Sequence, residues 1–147
     1  MAEIKYESNI SKTSSSAASV YAVVSNLENL NKVKDLIPED KVKDMEFTTD
    51  TAHFKIDGLG QKVCIRIVEK EDNKTIKFDI ENIPVAANLW IQMKQVTEGD
   101  TRLKLTLKAD MPIMFRMMFG NKMQEGLNQA TEMLAKMPFE QWSKQNI

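Results

Sequence analysis

The sequence predicts an α+β fold, in which a seven-stranded curved antiparallel sheet wraps around one long C-terminal helix and two short helices follow the first strand. Through most of residues 41–109, hydrophobic residues recur at every second position, which is typical of strands with one solvated face. Residues 110–137 show helical spacing instead, and seven of the ten methionines lie there. A length of 147 residues indicates a single domain over residues 1–147.

The first strand and the two short helices are predicted from the N-terminal region. Residues 4–10 alternate between apolar and polar types, and an apolar helical pattern begins at Val20. The stretch SKTSSSAAS between them is interpreted as a helix N-cap, because Ser and Thr accept hydrogen bonds from the free N–H groups of a helix start. A flexible linker is the alternative. A second short helix is expected from Asn26 to Ile37, since Pro38 disfavours helical geometry at the residue before it.

Six further strands are predicted between the short helices and the long one. They cover residues 42–48, 51–56, 61–68, 75–80, 87–96 and 101–109. The expected hairpin partners are Phe47 with Phe54, Ile67 with Ile76, and Met93 with Leu105. These pairs keep the apolar residues of all the strands on one face, which favours a meander. Trp90 is expected on the opposite face, where it could meet Trp142 or another subunit.

The long helix has two dissimilar halves. Its second half carries one apolar stripe, as expected of a helix packed on a sheet: Met123, Leu127, Ala130, Leu134 and Met137. Its first half is apolar nearly all round from Ile113 to Phe119, interrupted by Arg116. Consecutive helical residues point about 100° apart, so these side chains cannot all face the sheet. Core packing and the binding of an apolar ligand or partner are both consistent with this half.

Composition and motifs exclude several classes of function. A net charge of −1 and a pI near 5.9 leave no basic footprint for nucleic acid. No apolar run reaches the roughly 18 residues of a membrane span, so stable membrane insertion is not expected. The N-terminus lacks a secretory signal pattern, and a single cysteine allows no intramolecular disulfide, so a cytoplasmic location is expected.

Catalytic and metal-binding groups are scarce. One histidine and one cysteine make a zinc or iron site improbable, and no catalytic sequence motif is present, so neither a metal nor a cofactor is expected. His53 is out of phase with Phe54, and Cys64 is out of phase with Val63 and Ile65. Both are therefore expected on the outer face of the sheet, without a catalytic role.

The order of elements resembles the START-like superfamily, also called the helix-grip or Bet v 1-like fold, and in particular its bacterial polyketide-cyclase-like (SRPBCC) members. The segments that carry the resemblance are ISKTSSSAASVYAVVSNLENL, TRLKLTLKADMP and LAKMPF, and it extends over about residues 3–138. Together these segments look like small single-domain proteins of this superfamily from Bacteroides-type bacteria. The resemblance implies a hydrophobic cavity between sheet and long helix, which in various members serves lipid or polyketide binding, cyclisation or other reactions.

The predicted ligand site combines the first half of the long helix with nearby loops and strand ends. Its candidate residues are Met114, Phe115, Met118, Phe119, Leu59, Ile83, Val85, Met93, Arg116 and Gln95. Residues 57–60 and 82–86 are expected to form loops that gate the cavity, with simple turn chemistry as the alternative. Arg116 is either a solvent-facing side chain or an anchor for a ligand carboxylate or phosphate. Gln95 is the best polar candidate among the inward-facing residues.

The leading functional hypothesis is a monomer or weak homodimer that binds an apolar small molecule or lipid without catalysing a reaction. One alternative is an enzyme of the polyketide cyclase or aromatase type, which needs polar groups pointing into the cavity. The other is a protein-interaction module, in which side chains fill the core and the methionine-rich end of the helix docks a partner.

Overall fold

The structure, a computed structural model, describes residues 2–36, 42–56, 62–83 and 85–145. Candidate Leu59 and the rest of the loop 57–60 lie outside the described residues, as do the side chains of Phe115 and Phe119. The strands are β1 (Ala2–Glu7), β2 (Ser11–Thr13), β3 (Val42–Phe47), β4 (Thr51–Ile56), β5 (Lys62–Glu71), β6 (Thr75–Glu81), β7 (Ala87–Thr97) and β8 (Asp100–Met111). The helices are α1 (Ala17–Val24), a 3-10 segment (Leu27–Leu36), α2 (Ile113–Ala135) and α3 (Phe139–Gln145).

The sheet has the order β1-β8-β7-β6-β5-β4-β3, all antiparallel, and it is curved and unclosed. This confirms the predicted α+β class and the meander. The single predicted strand over residues 4–10 is corrected to two short strands, which both pair with β8. Ser8 causes the break, because its Oγ replaces a backbone carbonyl as the acceptor for Leu105 N at 2.9 Å.

The predicted hairpin partners were wrong by two residues in each case. The observed pairs are Phe47 with Ala52, Ile67 with Phe78, and Met93 with Leu103. Bulges in β5 and β7 lie between these pairs and their turns and change the register there. The β3 bulge, where Asp44 has a φ of 53°, lies on the far side of Phe47 from the turn and does not affect the partner of Phe47. Because side chains alternate with a period of two, a slip of two residues leaves the apolar face unchanged, so the predicted faces are correct although the partners are not.

The start of α1 confirms the capping interpretation of the Ser-rich stretch. Ser16 is the N-cap, and its Oγ accepts a hydrogen bond from Ser19 N at 3.1 Å. The second short helix is present as the 3-10 segment. After α2, Pro138 precedes a short helix, α3, for which no element was predicted from the sequence.

Two adjoining apolar clusters form the core. One joins α1, the inner sheet face and Phe139 of α3, which is fully buried. The other joins β1, β8 and the middle of α2, where Leu127 is 8% exposed. Leu89, Ile91 and Leu134 pack against both clusters, so the interior is continuous from one end of α2 to its middle.

Candidate functional site

The first two turns of α2 are exposed. Ile113 is 63% exposed, Met114 71%, Met117 82% and Met118 63%. Further along the same helix, Thr131 is fully buried. The apolar side chains at the start of the helix therefore face solvent. In the predicted packing stripe Leu127 is buried and Met123, Leu134 and Met137 are half-buried, whereas Ala130 is exposed.

Part of this exposed surface lies on the sheet-facing side of the helix. Ile113 precedes Gly120 by seven residues and Leu127 by fourteen, so at 100° per residue the three point in nearly the same direction. Leu127 is buried in the core, yet Ile113 is mostly exposed. The sheet thus covers the packing stripe of α2 at its middle and leaves it open at its start.

Several aliphatic side chains on the inner sheet face are only half-buried. They include Ile65, Ile80, Leu89, Ile91 and Leu107, from strands β5 to β8. Their neighbours Phe78 and Leu105 on the same face are buried, at 2% and 6% exposure. The helices therefore cover this face unevenly, and part of its apolar surface remains accessible between the buried residues.

An apolar cavity of about 80 Å³ lies at the far end of this interior. Its lining comes from α1, the 3-10 segment, β7, the end of α2 and α3: Val23, Val24, Asn26, Leu27, Asn29, Leu30, Ile91, Leu134, Met137 and Trp142. Sequence reasoning did not propose these as site residues. Their apolar helical spacing was visible, but the spacing did not reveal that the α1 and α2 stripes leave a gap where they meet.

Tyr6 brings one polar atom into this apolar interior. Its side chain is 9% exposed and belongs to the cluster that contains Leu105 and Leu127. Its hydroxyl is buried and has no hydrogen-bond partner among the described residues. Gly120 of α2 lies against it, since a Cβ built on Gly120 would come within 3.2 Å of Tyr6 Oη. The sequence shows Tyr6 in phase with Ile4, but it gives no sign that the hydroxyl lacks a partner.

The remaining candidates fall in different places. Ile83 and Val85 are half-buried and pack against the cluster that contains Leu105 and Leu127. Met93 is 5% exposed and packs in the other cluster. Gln95 is exposed, and its Oε1 accepts a hydrogen bond from Ala17 N at 3.0 Å, so it serves the start of α1. Arg116 is exposed.

His53, Cys64 and Glu81 are neighbours across β4, β5 and β6 on the outer face. Cys64 Sγ lies 3.9 Å from His53 Nε2 and is buried. Burial first, and then the Glu81 carboxylate, raise the pKa of the Cys64 thiol. The thiol is therefore protonated at neutral pH and is a poor nucleophile.

Glu81 is engaged by a cation rather than poised for acid–base chemistry. Arg66 Nε donates a hydrogen bond to Glu81 Oε1 at 3.0 Å. This bond, with a further hydrogen bond from Cys64, lowers the pKa of the Glu81 carboxyl. Among the described residues, no three His, Cys, Asp or Glu side chains are arranged to hold a metal ion.

Trp90 stands on the outer face between two lysines. The Nζ atoms of Lys77 and Lys108 lie 5.4 and 5.5 Å from the centre of its ring. Trp142 is elsewhere, in the wall of the apolar cavity. Of the two expected neighbours of Trp90, contact with Trp142 is thus replaced by contacts with cations across the sheet.

In the described parts of the chain, no helix has the length and apolar character needed to cross a bilayer.

Comparison with solved structures finds the same architecture in proteins of low sequence identity. A START superfamily protein from Mycobacterium smegmatis matches with a TM-score of 0.59 and 13% identity, over 91% of this chain and 97% of that one. A truncated norcoclaurine synthase from Thalictrum flavum matches with a TM-score of 0.70 and 11% identity, over 99% and 94%. The same enzyme in complex with dopamine and hydroxybenzaldehyde matches at 0.63 and 12%, over 90% and 86%.

The architecture and these likenesses define the class of protein: an α+β protein in which a curved antiparallel sheet grips a long helix. More particularly, the chain has the START-like, or Bet v 1-like, fold, which confirms the predicted resemblance. The narrower likeness to proteins of Bacteroides-type bacteria finds no support in these comparisons. No family model and no curated protein matches the sequence.

Proposed function

We propose that the chain acts as a single cytoplasmic domain that binds an apolar small molecule or lipid between the sheet and α2, without catalysing a reaction. The observation that carries this proposal is the half-burial of aliphatic side chains on the inner sheet face, such as Leu89 and Leu107. A ligand that covered them would gain about 25 cal/mol for each Å² of apolar surface removed from water.

The first half of α2 is the proposed entrance. Met114 and Met118 expose flexible apolar side chains there, and Phe115 and Phe119 share the same two turns. Methionine adapts to varied apolar shapes, which suits a surface that a ligand must cross. We assign Ile83 and Val85 to the same entrance, and Arg116 would hold an acidic group of a ligand outside the apolar interior.

A solved structure of the same fold shows that such a fold can bind small molecules. The norcoclaurine synthase neighbour was determined with dopamine and hydroxybenzaldehyde, two aromatic molecules that also carry polar groups. That neighbour is an enzyme, so the cyclase or aromatase alternative draws on the same likeness. It has less support from the residues, since Gln95 is directed to the start of α1 and the half-buried side chains of the inner sheet face are aliphatic.

The proposal predicts that filling the interior abolishes binding. Leu89→Trp places a large ring in the half-filled space, so we expect at least a tenfold loss of affinity for a fluorescent fatty acid, measured by titration and displacement. Val96→Trp is the matched control, since it adds a tryptophan on the same strand at a residue that is 54% exposed. It should leave the affinity unchanged.

Native mass spectrometry of the freshly purified protein provides an independent readout. We expect wild-type protein to carry a bound apolar molecule that Leu89→Trp protein lacks. Absence of both a co-purified molecule and saturable binding, across fatty acids, sterols and small aromatic compounds, would refute the proposed function.

The exposed methionines also favour a second candidate, docking of a partner protein or of a second copy of this chain. Met118→Lys places a charge in the middle of this surface, and we expect it to abolish self-association wherever light scattering detects any in the wild type. Met133→Lys is the control, since Met133 is 48% exposed in the other half of α2. Equal association of all three proteins would argue against a docking role for the first half of the helix.

A further inference from the structure

We infer that Tyr6 selects a ligand that carries one uncharged oxygen acceptor, an inference that rests on the proposed function. The Tyr6 side chain is 9% exposed, and its hydroxyl has no hydrogen-bond partner within the part of the chain that the structure describes. Buried polar groups are nearly always hydrogen-bonded, because an unmade bond destabilises the folded state. A bound molecule that supplied an acceptor would provide the missing bond.

Tyr6 lies beside the space assigned to the ligand. Tyr6 on β1 is opposite Leu107 on β8, and Leu107 is one of the half-buried side chains of the inner sheet face. On the other side, Gly120 of α2 approaches the Tyr6 hydroxyl without a side chain of its own. A Cβ at residue 120 would lie 3.2 Å from Tyr6 Oη, so glycine lets the helix backbone come close to the hydroxyl without a side chain filling the place beside it.

The surroundings of the hydroxyl determine the class of acceptor. The buried hydrophobic residues of its cluster are Ile4, Ala87, Leu105, Ala109, Met111 and Leu127. Buried Ser8, two residues after Tyr6, already uses its Oγ to donate to Asn9 O and to accept from Leu105 N. An ionised carboxylate in such surroundings is strongly disfavoured, whereas a ketone oxygen needs only the one hydrogen bond that Tyr6 O–H donates. An alcohol oxygen can accept the same bond and leaves only its own O–H without a partner, which costs less than a buried charge. The ligand class is therefore an apolar body with a neutral carbonyl or hydroxyl group at its buried end.

Comparing the affinities of octanol and octane distinguishes the contribution of the hydrogen bond from that of the apolar contacts. Both are titrated against wild type and Tyr6→Phe by displacement of a fluorescent apolar probe. We expect Tyr6→Phe to weaken octanol binding by about threefold to tenfold, the range of one neutral hydrogen bond, and to leave octane binding unchanged. We also expect Tyr6→Phe to melt at a higher temperature without ligand, because it no longer buries an unpartnered hydroxyl.

A second pair of variants tests the same site with Tyr6 in place. Gly120→Ala adds a Cβ about 3.2 Å from Tyr6 Oη, so it should weaken the binding of octanol more than the binding of octane. Gly126→Ala is the control in the same helix, since a Cβ there would meet nothing within 4 Å. It should alter neither affinity. Octanoate serves as the charged probe at neutral pH, and we expect it to bind more weakly than octanol.

The outcomes distinguish this inference from the function on which it rests. If wild type binds neither octanol nor octane saturably, the proposed function fails and the inference fails with it. If both bind, and Tyr6→Phe changes neither affinity or changes both equally, only the role of Tyr6 is overturned. Tighter binding of octanoate than octanol, lost in Tyr6→Phe, would overturn the uncharged class while keeping Tyr6 as a contact.

Discussion

At the scale of the residue, two glycines in α2 have opposite consequences. Glycine in a helix interior costs about 0.5–1 kcal/mol relative to alanine. Gly126→Ala should therefore raise the free energy of unfolding by about that amount, because its Cβ meets no atom within 4 Å. Gly120→Ala should give no gain or a loss, because its Cβ would lie 3.2 Å from Tyr6 Oη. Urea unfolding of both variants measures the difference.

The contact between Gly120 and the Tyr6 hydroxyl supplies the control for that prediction. In a Tyr6→Phe background the oxygen is absent, so Gly120→Ala should recover the gain seen with Gly126→Ala. If Gly120→Ala behaves alike in both backgrounds, contact with the hydroxyl does not explain why glycine occupies this position.

Sequence reasoning at the residue scale succeeded where alternation decides the answer. His53 and Cys64 lie on the face predicted for them, because neighbouring side chains in a strand point to opposite faces. It did not succeed for Gln95, whose amide oxygen accepts a bond from Ala17 N, 78 positions away in sequence. That contact depends on where β7 meets α1, and no local pattern encodes it.

At the scale of the element, α3 is held by one buried ring and one carboxylate. Phe139 is fully buried in the core, and Glu140 accepts hydrogen bonds from Ser16 N at 2.7 Å and Ser19 Oγ at 2.8 Å. The carboxylate thus lies at the N-terminus of α1, where the helix dipole favours negative charge. Helix α3 also supplies Trp142 to the wall of the apolar cavity.

We expect Glu140→Gln to loosen this attachment. The substitution removes the charge and one acceptor oxygen, and should lower the free energy of unfolding by about 1 kcal/mol. Faster hydrogen exchange in α3 and in the first turn of α1 would locate the effect. Glu132→Gln, which neutralises an exposed glutamate on α2, is the matched control and should change neither quantity.

At the scale of the whole molecule, most of the architecture could be predicted and the extent of the ligand space could not. Strand order follows from short turns between alternating segments, and the long helix from its spacing. The half-burial of Leu89 and Leu107 depends on how strongly the sheet curves and how far α2 stands from it. Those distances arise from many contacts between segments far apart in sequence, so no single stretch reveals them.

The pairing of β1 with β8 also bears on the order of events during synthesis. Strands β3 to β8 can join as successive hairpins while the chain emerges from the ribosome. β1 has to wait, since Ala2 lies opposite Met111 and contacts between such distant segments form slowly. Tyr6 belongs to this late strand, so a nascent chain acquires its oxygen-selective contact only in the closing step of folding, after the rest of the sheet already exists.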